Sequence, residues 1–183
     1  MKAGRMDIAC HVIINSFFLS HKKRDDVILH LVFYGPPDPP KHIILNPKKY
    51  LPETGKEVGS LDLSKKDVSG LLKRILYRYK KGEKREAFPG CWIEKKSLFD
   101  VLEELEKEGK KIYILDENGE DIRNFSKEDL ENSAFLLGDC KGLPKKELRR
   151  LKKKFKLISV GKKIYFASQV VTIVNNELDR REI

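Results

Sequence analysis

Three loops in the C-terminal part of the sequence place glycines and polar residues where a ligand could be held. The first, Gly138–Pro144, follows the apolar segment 134–138 (AFLLG), which is typical of a strand, and Pro144 favours the start of a helix. Glycine lets the backbone approach a ligand closely, and ligands of α/β proteins bind at the carboxyl ends of strands. Glycine and aspartate are also ordinary turn residues, so this loop alone does not separate a binding site from a turn.

The other two loops lie further along the chain. Ser159–Gly161 ends the strand-like segment 156–160 (KLISV) with a glycine, and Ala167–Val170 opens the last predicted helix. The N–H groups at the start of a helix lack intrahelical partners and can donate to an anion or a carboxylate. Each signal is weak by itself. Together they predict one ligand-binding crevice at neighbouring strand ends.

The elements that must position these loops alternate along the chain. Apolar residues at helical spacing predict helices at 5–19, 64–79, 97–109, 144–153 and 167–180. Short segments rich in β-branched residues predict strands at 27–34, 41–45, 91–94, 111–115, 134–138 and 156–160. This alternation is typical of an α/β fold with a mostly parallel sheet that helices cover on both faces. Since no repeat or linker interrupts it, residues 1–183 are predicted to form a single domain.

Composition and charge restrict the class of function. The chain has 183 residues, a formal net charge of +10 and a pI near 9.4. Such a surplus favours a polyanionic partner, most often nucleic acid, although abundant Lys and Glu are also a bias of thermophilic proteins. No apolar run approaches the ~20 residues that span a bilayer, and Asp7 and His11 interrupt the N-terminal apolar stretch, unlike in a signal peptide. We therefore expect a cytoplasmic protein with no membrane partner.

Basic residues concentrate in two segments. One covers residues 65–85, which belong to the helix predicted over 64–79 and the segment that leaves it. The other adjoins the first candidate loop. We expect the second to contact a nucleic-acid backbone, because Lys and Arg beside a ligand site form a phosphate track. The alternative is an ordinary solvated helix face. The candidates for these contacts are Lys145, Lys146, Arg149, Arg150 and Lys153.

No metal site is predicted. The number of cysteines is odd and no pair has CxxC spacing, which indicates neither a zinc site nor a disulfide framework. The histidines are separated in the sequence, and we interpret them as structural or surface residues. These residues are Cys10, Cys91 and Cys140, and His11, His21, His30 and His42.

The order of the three loops carries a family resemblance. FLLGDCKG, ISVG and ASQVVTIVNNELDRR together resemble the C-terminal knot of the SPOUT methyltransferases. In the N-terminal half, GRMDI, NSFFLSHKKRDDV and FYGPPDPP resemble the archaeal tRNA (pseudouridine(54)-N(1))-methyltransferases, so that the match covers Gly4 to Arg181. The combination is specific, because it includes long spacings and an unusual Pro-rich loop.

The resemblance implies a fold, a cofactor and partners. It implies a SPOUT (α/β knot) fold with a C-terminal trefoil knot, a homodimer, and S-adenosyl-L-methionine (SAM) bound among the three loops. The cofactor-binding residues that it indicates are Leu137, Gly138, Gly161 and Val170. It also implies that the chain methylates N1 of pseudouridine in the TΨC loop of tRNA. Asp7 is then the candidate for accepting the N1 proton or orienting the base, and Arg5 for contacting a phosphate or a uracil oxygen, or for holding Asp7 in place.

The sequence departs from the family pattern at three points. Cys140 stands where the family usually has His, and Val170 stands where it commonly has Cys. Relatives carry a strand before the Gly-Arg-x-Asp segment, whereas only Met1–Ala3 precede it here, so that strand is expected to be missing. These departures keep alternatives open: a SPOUT-fold RNA-binding protein without catalysis, an RNA methyltransferase with another target (rRNA or a ribose 2′-oxygen), or a thermophilic domain that is basic for other reasons.

Overall fold

The computed structural model describes residues 5–48, 65–139 and 145–183, with only the backbone of Lys145 described. The chain divides into two compact units, residues 1–98 and 99–183. Each unit has its own sheet and its own apolar core. A single domain over 1–183 stays a prediction.

The first unit is built from two helices and four strands. They are, in chain order, α1 Met6–Phe17, β1 Leu29–Phe33, β2 Lys41–Leu45, α2 Lys65–Tyr77, β3 Arg85–Phe88 and β4 Cys91–Glu94. Five of these elements confirm the predicted ones. The exception is β3, whose first two residues, Arg85 and Glu86, are charged and exposed and gave no apolar pattern. The predicted cap Ser64 lies outside the described residues.

The sheet of the first unit is antiparallel. Its strand order is β1-β2-β4-β3, and every neighbouring pair runs antiparallel. The prediction of a mostly parallel sheet therefore does not hold for this unit. The physical reason is the length of the connections: Pro89–Gly90 alone joins β3 to β4, and residues 34–40 join β1 to β2. A parallel pair needs a crossover of roughly a dozen residues or more.

The core of the first unit lies between the sheet and its helices. Leu72 and Ile75 of α2 and Ile43 and Ile93 of the central strands are fully buried, and Ile13 of α1 joins them. Apolar spacing along each helix turns one face towards the sheet. Burying each such side chain contributes roughly 1.5–3 kcal/mol.

A row of hydrogen bonds crosses three strands of this sheet. His30 Nδ1 lies 3.0 Å from His42 Nε2, and His42 Nδ1 lies 3.2 Å from Glu94 Oε1. His42 is 1% exposed, and burial lowers its pKa more than Glu94 raises it. Neutral His42 therefore donates from Nδ1 to Glu94 and accepts at Nε2 from His30. This places His42 in a structural role within the sheet.

The second unit contains the remaining elements. After α3 Leu98–Lys107 come β5 Lys111–Asp121, a 3₁₀ turn Ile122–Asn124, α4 Lys127–Leu130, β6 Ser133–Leu136, α5 Lys145–Lys154, β7 Lys156–Ser159 and α6 Ala167–Asp179. Gly109 follows α3 with φ +80°, as predicted for a helix end. Ser126 caps α4, because its side chain accepts from the N–H of Asp129. Pro144 lies outside the described residues.

The sheet of the second unit is parallel. Its order is β6-β5-β7, and β5 pairs in parallel with both neighbours. This confirms the predicted strand direction for the C-terminal half. The residues of β6 are half-buried rather than fully buried as predicted, and β6 lies at an edge of the three strands.

β5 is longer than predicted and contains a break in its register. Asn118 and Gly119, whose residue types are typical of a turn, lie inside this eleven-residue strand. Ile158 of β7 pairs with Leu115 and again with Glu120, so the residues between these two bulge out. A Cβ on Gly119 would lie 2.6 Å from the backbone C and N atoms of Ile158. Only glycine allows the two strands to approach this closely.

The apolar stripe of α6 belongs to the core of the second unit. Val174 is buried with Ile158, and Val170 and Leu178 pack against the same cluster. Much of this stripe therefore faces the core of the second unit.

Candidate functional site

Arg5 and Asp7 form an exposed ion pair at the start of α1. Arg5 Nε donates to Asp7 Oδ1 at 2.9 Å, and Arg5 Nη2 donates to Asp7 Oδ2 at 2.6 Å. Arg5 is the N-cap residue of α1 and Asp7 lies in its first turn, so the helix backbone fixes their separation. Both side chains are about half exposed. The bidentate geometry leaves the pair open to a ligand on its solvent side.

The hydrogen bonds from Arg5 hold the pKa of the Asp7 carboxyl far below its ordinary value of 3.8, with the Arg5 charge adding to the effect. Asp7 is therefore ionised at neutral pH and is a weak proton acceptor while Arg5 stays in place. An ionised carboxylate can still accept a hydrogen bond from an N–H group and orient it. Of the two roles predicted for Asp7, the observed geometry suits orientation better than proton removal.

The first two candidate loops lie at the same edge of the parallel sheet. Leu137 and Gly138 directly follow β6, and Gly161 follows β7 after Val160. Because both strands run parallel to β5, which lies between them, their carboxyl ends point the same way. The structure thus brings together at one sheet edge the two loops that the sequence separates by more than twenty residues.

Gly161 has a conformation that other residues rarely adopt. Its φ is +132°, and a Cβ built on it would meet nothing within 4 Å. The Ser159 hydroxyl fixes the turn, because Oγ accepts from Gly161 N at 3.0 Å and donates to Gly161 O at 2.9 Å. The open space beside a fixed glycine backbone is suited to the close approach of a ligand.

Val170 lies at the start of the last helix, where the sequence predicts it. It lies in the first turn of α6, where its N–H donates to Phe166 O at 3.0 Å. Its side chain is half-buried against the core of the second unit. Its N–H is therefore engaged, and any contact with a ligand would come from its side chain or its carbonyl oxygen.

The segment between β7 and α6 carries exposed apolar side chains that sequence reasoning missed. Ile164 is 85% exposed and Phe166 is 73% exposed, and Tyr165 lies between them. Large apolar side chains exposed side by side mark a binding surface more often than isolated ones do. The signal that could have found them was the run IYFA directly before a helix start.

These features fit a bound nucleoside with a sulfonium. Backbone groups at Leu137, Gly138 and Gly161 can hydrogen-bond a base, and the neighbouring apolar segment can cover its ring. The fit rests on the open space at Gly161 and the exposed segment 164–166.

The basic residues predicted on α5 lie in two environments. Lys146, Arg149, Arg150 and Lys153 are exposed, and the Arg150 guanidinium stacks over the Phe99 ring at 4.7 Å. By contrast, Lys152 and Lys154 pair with Asp116 and Glu106. The side chain of Lys145 lies outside the described residues. The predicted residues are thus largely those that α5 leaves to solvent.

Within 5–48, 65–139 and 145–183, no group of three or more His, Cys, Asp or Glu side chains could hold a metal ion. Over the same residues, no helix is both long and apolar enough to cross a membrane. Cys10 and Cys91 are buried thiols.

A family model supplies the deciding observation. The model described as "Putative SAM-dependent RNA methyltransferase" matches residues 2–183. The chain belongs to this family. The match spans Arg5 and Asp7 as well as the residues that follow β6 and β7.

Curated relatives of this RNA methyltransferase extend the comparison. The chain is 31% identical over 187 residues to the tRNA (pseudouridine(54)-N(1))-methyltransferase of Methanocaldococcus jannaschii, covering 98% of this chain and 86% of the relative. It is 35% identical over 180 residues to the enzyme of the same name from Methanococcoides burtonii, covering 97% and 84%. The enzyme of that name from Pyrococcus abyssi is 34% identical, with 97% and 86% covered.

A solved structure supports the fold. The crystal structure of Archaeoglobus fulgidus Nep1 bound to S-adenosylhomocysteine covers 99% of this chain and 73% of the Nep1 chain, with a TM-score of 0.53 and 18% identity. At this identity the likeness shows the α/β fold alone. It agrees with the predicted SPOUT class.

Proposed function

We propose that the protein transfers the methyl group of SAM to N1 of pseudouridine 54 in the TΨC loop of tRNA. One observation carries the proposal: curated relatives of that name match 97–98% of the chain at 31–35% identity. The proposal also accounts for the net charge of +10, since a tRNA substrate is a polyanion. A tRNA substrate would place the protein in the cytoplasm.

SAM would bind at the carboxyl edge of the parallel sheet. Backbone groups of Leu137, Gly138 and Gly161 would hold its base, and Val170 would contact it through its side chain or carbonyl oxygen. Support comes from the shared strand direction of β6 and β7 and from the open space at Gly161. We further propose that the chain around these loops forms the trefoil knot of SPOUT proteins, within a single functional domain.

Bound SAM supplies a methyl group on a positively charged sulfur, which is open to attack by a nitrogen in line with the breaking S–C bond. Pseudouridine is joined to ribose through carbon, so its N1 carries a proton that must leave as the N1–C bond forms. The ionised Asp7 carboxylate would accept a hydrogen bond from N1–H and so orient the base. Arg5 would keep that carboxylate ionised and contact a phosphate or a uracil oxygen.

Contact between Arg5 and the RNA would also alter Asp7. If a phosphate takes one of the two N–H groups that Arg5 donates, the pKa of Asp7 rises towards its ordinary value, and Asp7 becomes a better proton acceptor. The proton would then pass from N1 to Asp7 or to water only after the substrate is bound. In the free enzyme, by contrast, Asp7 would stay ionised.

The RNA backbone would run along α5. Lys146, Arg149 and Lys153 are exposed there, and no ion pair joins them to an acidic side chain of the described residues. Arg150, which lies over Phe99, would add a fixed guanidinium. Lys145 extends the track by sequence. These contacts would set the register of the tRNA, while the TΨC loop supplies the reacting base.

We also propose a homodimer. Closed two-fold dimers are the commonest oligomers, and the exposed apolar segment 164–166 offers a surface that the core of the second unit does not use.

The proposal is tested with purified protein, tRNA carrying pseudouridine at position 54, and SAM with a labelled methyl group. We expect label on N1 of that residue, located by mass spectrometry of nuclease fragments. A matched tRNA with uridine at the same position is the control and should remain unlabelled. SAM binding without any transfer would instead favour a binding protein, and transfer to a ribose oxygen would favour another target.

A further inference from the structure

A second concentration of positive charge lies on the exposed face of α2. Lys66, Gly70, Lys73 and Tyr77 follow one another at helical spacing, and Arg74 lies beside them. The side chains of Lys66, Lys73, Arg74 and Tyr77 are exposed, with Tyr77 at 83%, and Gly70 is half-buried. The opposite side of the same helix is buried in the core of the first unit. The geometry therefore gives α2 one face for folding and one for solvent.

Among the described residues, no ion pair joins the side chains of Lys66, Lys73 or Arg74 to a carboxylate. Elsewhere in the unit the pattern differs, since Lys80 pairs with Glu83 and the side chain of Lys95 with Asp38. A face that keeps its charges unpaired is suited to a partner that brings the opposite charge.

Gly70 in the middle of this face has no folding role in the described structure. A Cβ added there would meet nothing within 4 Å, and its backbone is helical. Glycine in the interior of a helix makes the helix less stable than alanine would. The bare backbone leaves a flat position between Lys66, Lys73 and Tyr77, where another backbone can approach closely.

Two arginines at the end of α2 are held in place. The guanidinium groups of Arg74 and Arg78 lie 5.5 and 4.3 Å from the centre of the Phe88 ring, and Arg78 Nη1 also donates to Ala87 O. Stacking on one ring restricts their side chains before any partner arrives. Cations that are fixed in advance lose less conformational freedom on binding.

We propose that the α2 face binds the phosphate backbone of double-helical RNA in a tRNA stem outside the arm that is methylated. The face from Lys66 to Tyr77 is about 16 Å long at 1.5 Å per residue, which is enough to follow several phosphates. A-form RNA is recognised mainly through its shape, its phosphates and its 2′-hydroxyls, which a row of exposed cations along one helix can contact. The Tyr77 hydroxyl can contact a phosphate or a 2′-hydroxyl. The proposal rests on the proposed function, because it takes tRNA as the substrate.

Charge reversal at two positions tests the proposal. The double variant Lys73→Glu, Arg74→Glu should bind full-length tRNA about tenfold or more weakly, and the slope of log affinity against log salt should fall by about 2, one for each phosphate contact. Its affinity for an isolated TΨC stem-loop, and its methylation of that stem-loop, should stay within about twofold of wild type. The matched control, Lys22→Glu with Lys48→Glu, changes the net charge equally at exposed positions away from α2.

A second variant separates binding from folding. Gly70→Leu should raise the melting temperature, because leucine favours a helix, yet weaken binding of full-length tRNA about fivefold by filling the flat position. An equal loss of tRNA affinity in the control variant overturns the proposal. Unchanged tRNA binding in both α2 variants also overturns it, and would favour an acidic protein as the partner of this face. If wild-type protein binds tRNA through α2 but never methylates the stem-loop, the proposed function fails while the α2 proposal stands.

Discussion

The contact between Arg5 and Asp7 determines the charge state in which the carboxylate meets a substrate. With both carboxylate oxygens accepting from one guanidinium, Asp7 stays ionised through the whole range of physiological pH. The sequence could predict that Arg5 holds Asp7 in place, because the two residues lie within one helical turn. It could not predict the direction of the pKa shift, which depends on the two short contacts.

Replacing Asp7 by asparagine should leave SAM binding unchanged and lower the rate of methyl transfer about a hundredfold or more. The reason is that the amide keeps the shape of the side chain but loses the charge that orients N1–H. Calorimetry with SAM and single-turnover transfer to a pseudouridine stem-loop measure the two effects separately. Transfer at the wild-type rate would remove Asp7 from the mechanism. In wild type, protonation of Asp7 should not slow the reaction at any pH above its ordinary pKa of 3.8.

His42 should make the folded state sensitive to acid. Its folded pKa is lowered by burial from the ordinary 6.5, so the unfolded chain binds a proton at higher pH than the folded chain does. The resulting stability is complete above about pH 6.5 and is lost as the pH falls below that value. The charged groups around His42 include Glu94, Lys84 and Lys96. The pKa of the Glu94 carboxyl is lowered from its ordinary 4.5, so the stability that ionised Glu94 contributes is lost at lower pH than the stability from neutral His42.

Urea unfolding between pH 7 and pH 5 measures this effect. Wild-type stability should fall across that interval, and His42→Gln should be less stable at pH 7 but nearly independent of pH. An equal slope in both proteins would assign the acid sensitivity to other residues. The sequence did not predict this row, because His30, His42 and Glu94 meet only through the register of three strands.

At the scale of elements, strand positions were more predictable than strand directions. Periodic apolar residues indicated the helices and most strands. The antiparallel sheet of the first unit could also have been predicted, since Pro89–Gly90 leaves no room for a crossover between β3 and β4. The parallel direction in the second unit followed from the helices between its strands. The bulge in β5 could not be predicted, because it depends on a contact between Gly119 and Ile158.

Gly119→Ala should destabilise the protein by roughly 1–3 kcal/mol, because the new methyl group forces apart two paired backbones. Gly70→Ala is the matched control: its methyl group points into open space, and the helix should gain roughly 0.5–1 kcal/mol. Denaturant unfolding of both variants gives the comparison. Equal stability of the two would mean that β5 and β7 shift apart without cost.

On α5, Lys153→Glu should weaken tRNA binding and lower the salt slope by about 1 or more. Lys107→Glu on α3 changes the same charge at an exposed residue that pairs with Glu103, and should have a smaller effect. Anisotropy titrations at several salt concentrations provide the slopes. If both variants give the same slope, the attraction comes from net charge and no track on α5 exists.

At the scale of the whole molecule, two units share the residues of the candidate site. Arg5 and Asp7 belong to the first, and the loops after β6 and β7 belong to the second. Only the family resemblance assigns both groups to one site, since no periodicity relates residue 7 to residue 161. Composition supplied the class of partner, through the net charge of +10.

SAM should raise the melting temperature of the protein in a concentration-dependent way. A ligand present at a hundred times its dissociation constant stabilises the folded state by about 2.7 kcal/mol. Gly161→Val should reduce the shift, because a β-branched residue disfavours the φ of +132° and fills the adjacent open space. Differential scanning fluorimetry with SAM, and with ATP as a nucleotide control, measures it. An equal shift with ATP would indicate binding of the adenosine group without selection for SAM.

The order in which the strands of the two sheets occur along the chain has a consequence for protein synthesis. All strands of the antiparallel sheet have been made once the ribosome has added Glu94, so that sheet can form while the rest of the chain is still being translated. The central strand β5 must wait for β7, which ends at Ser159, before both its edges are paired. A pause in translation between these two points would leave an unpaired strand edge exposed in the nascent chain. Codon usage and chaperone contact over that interval would then affect how much active protein the cell obtains.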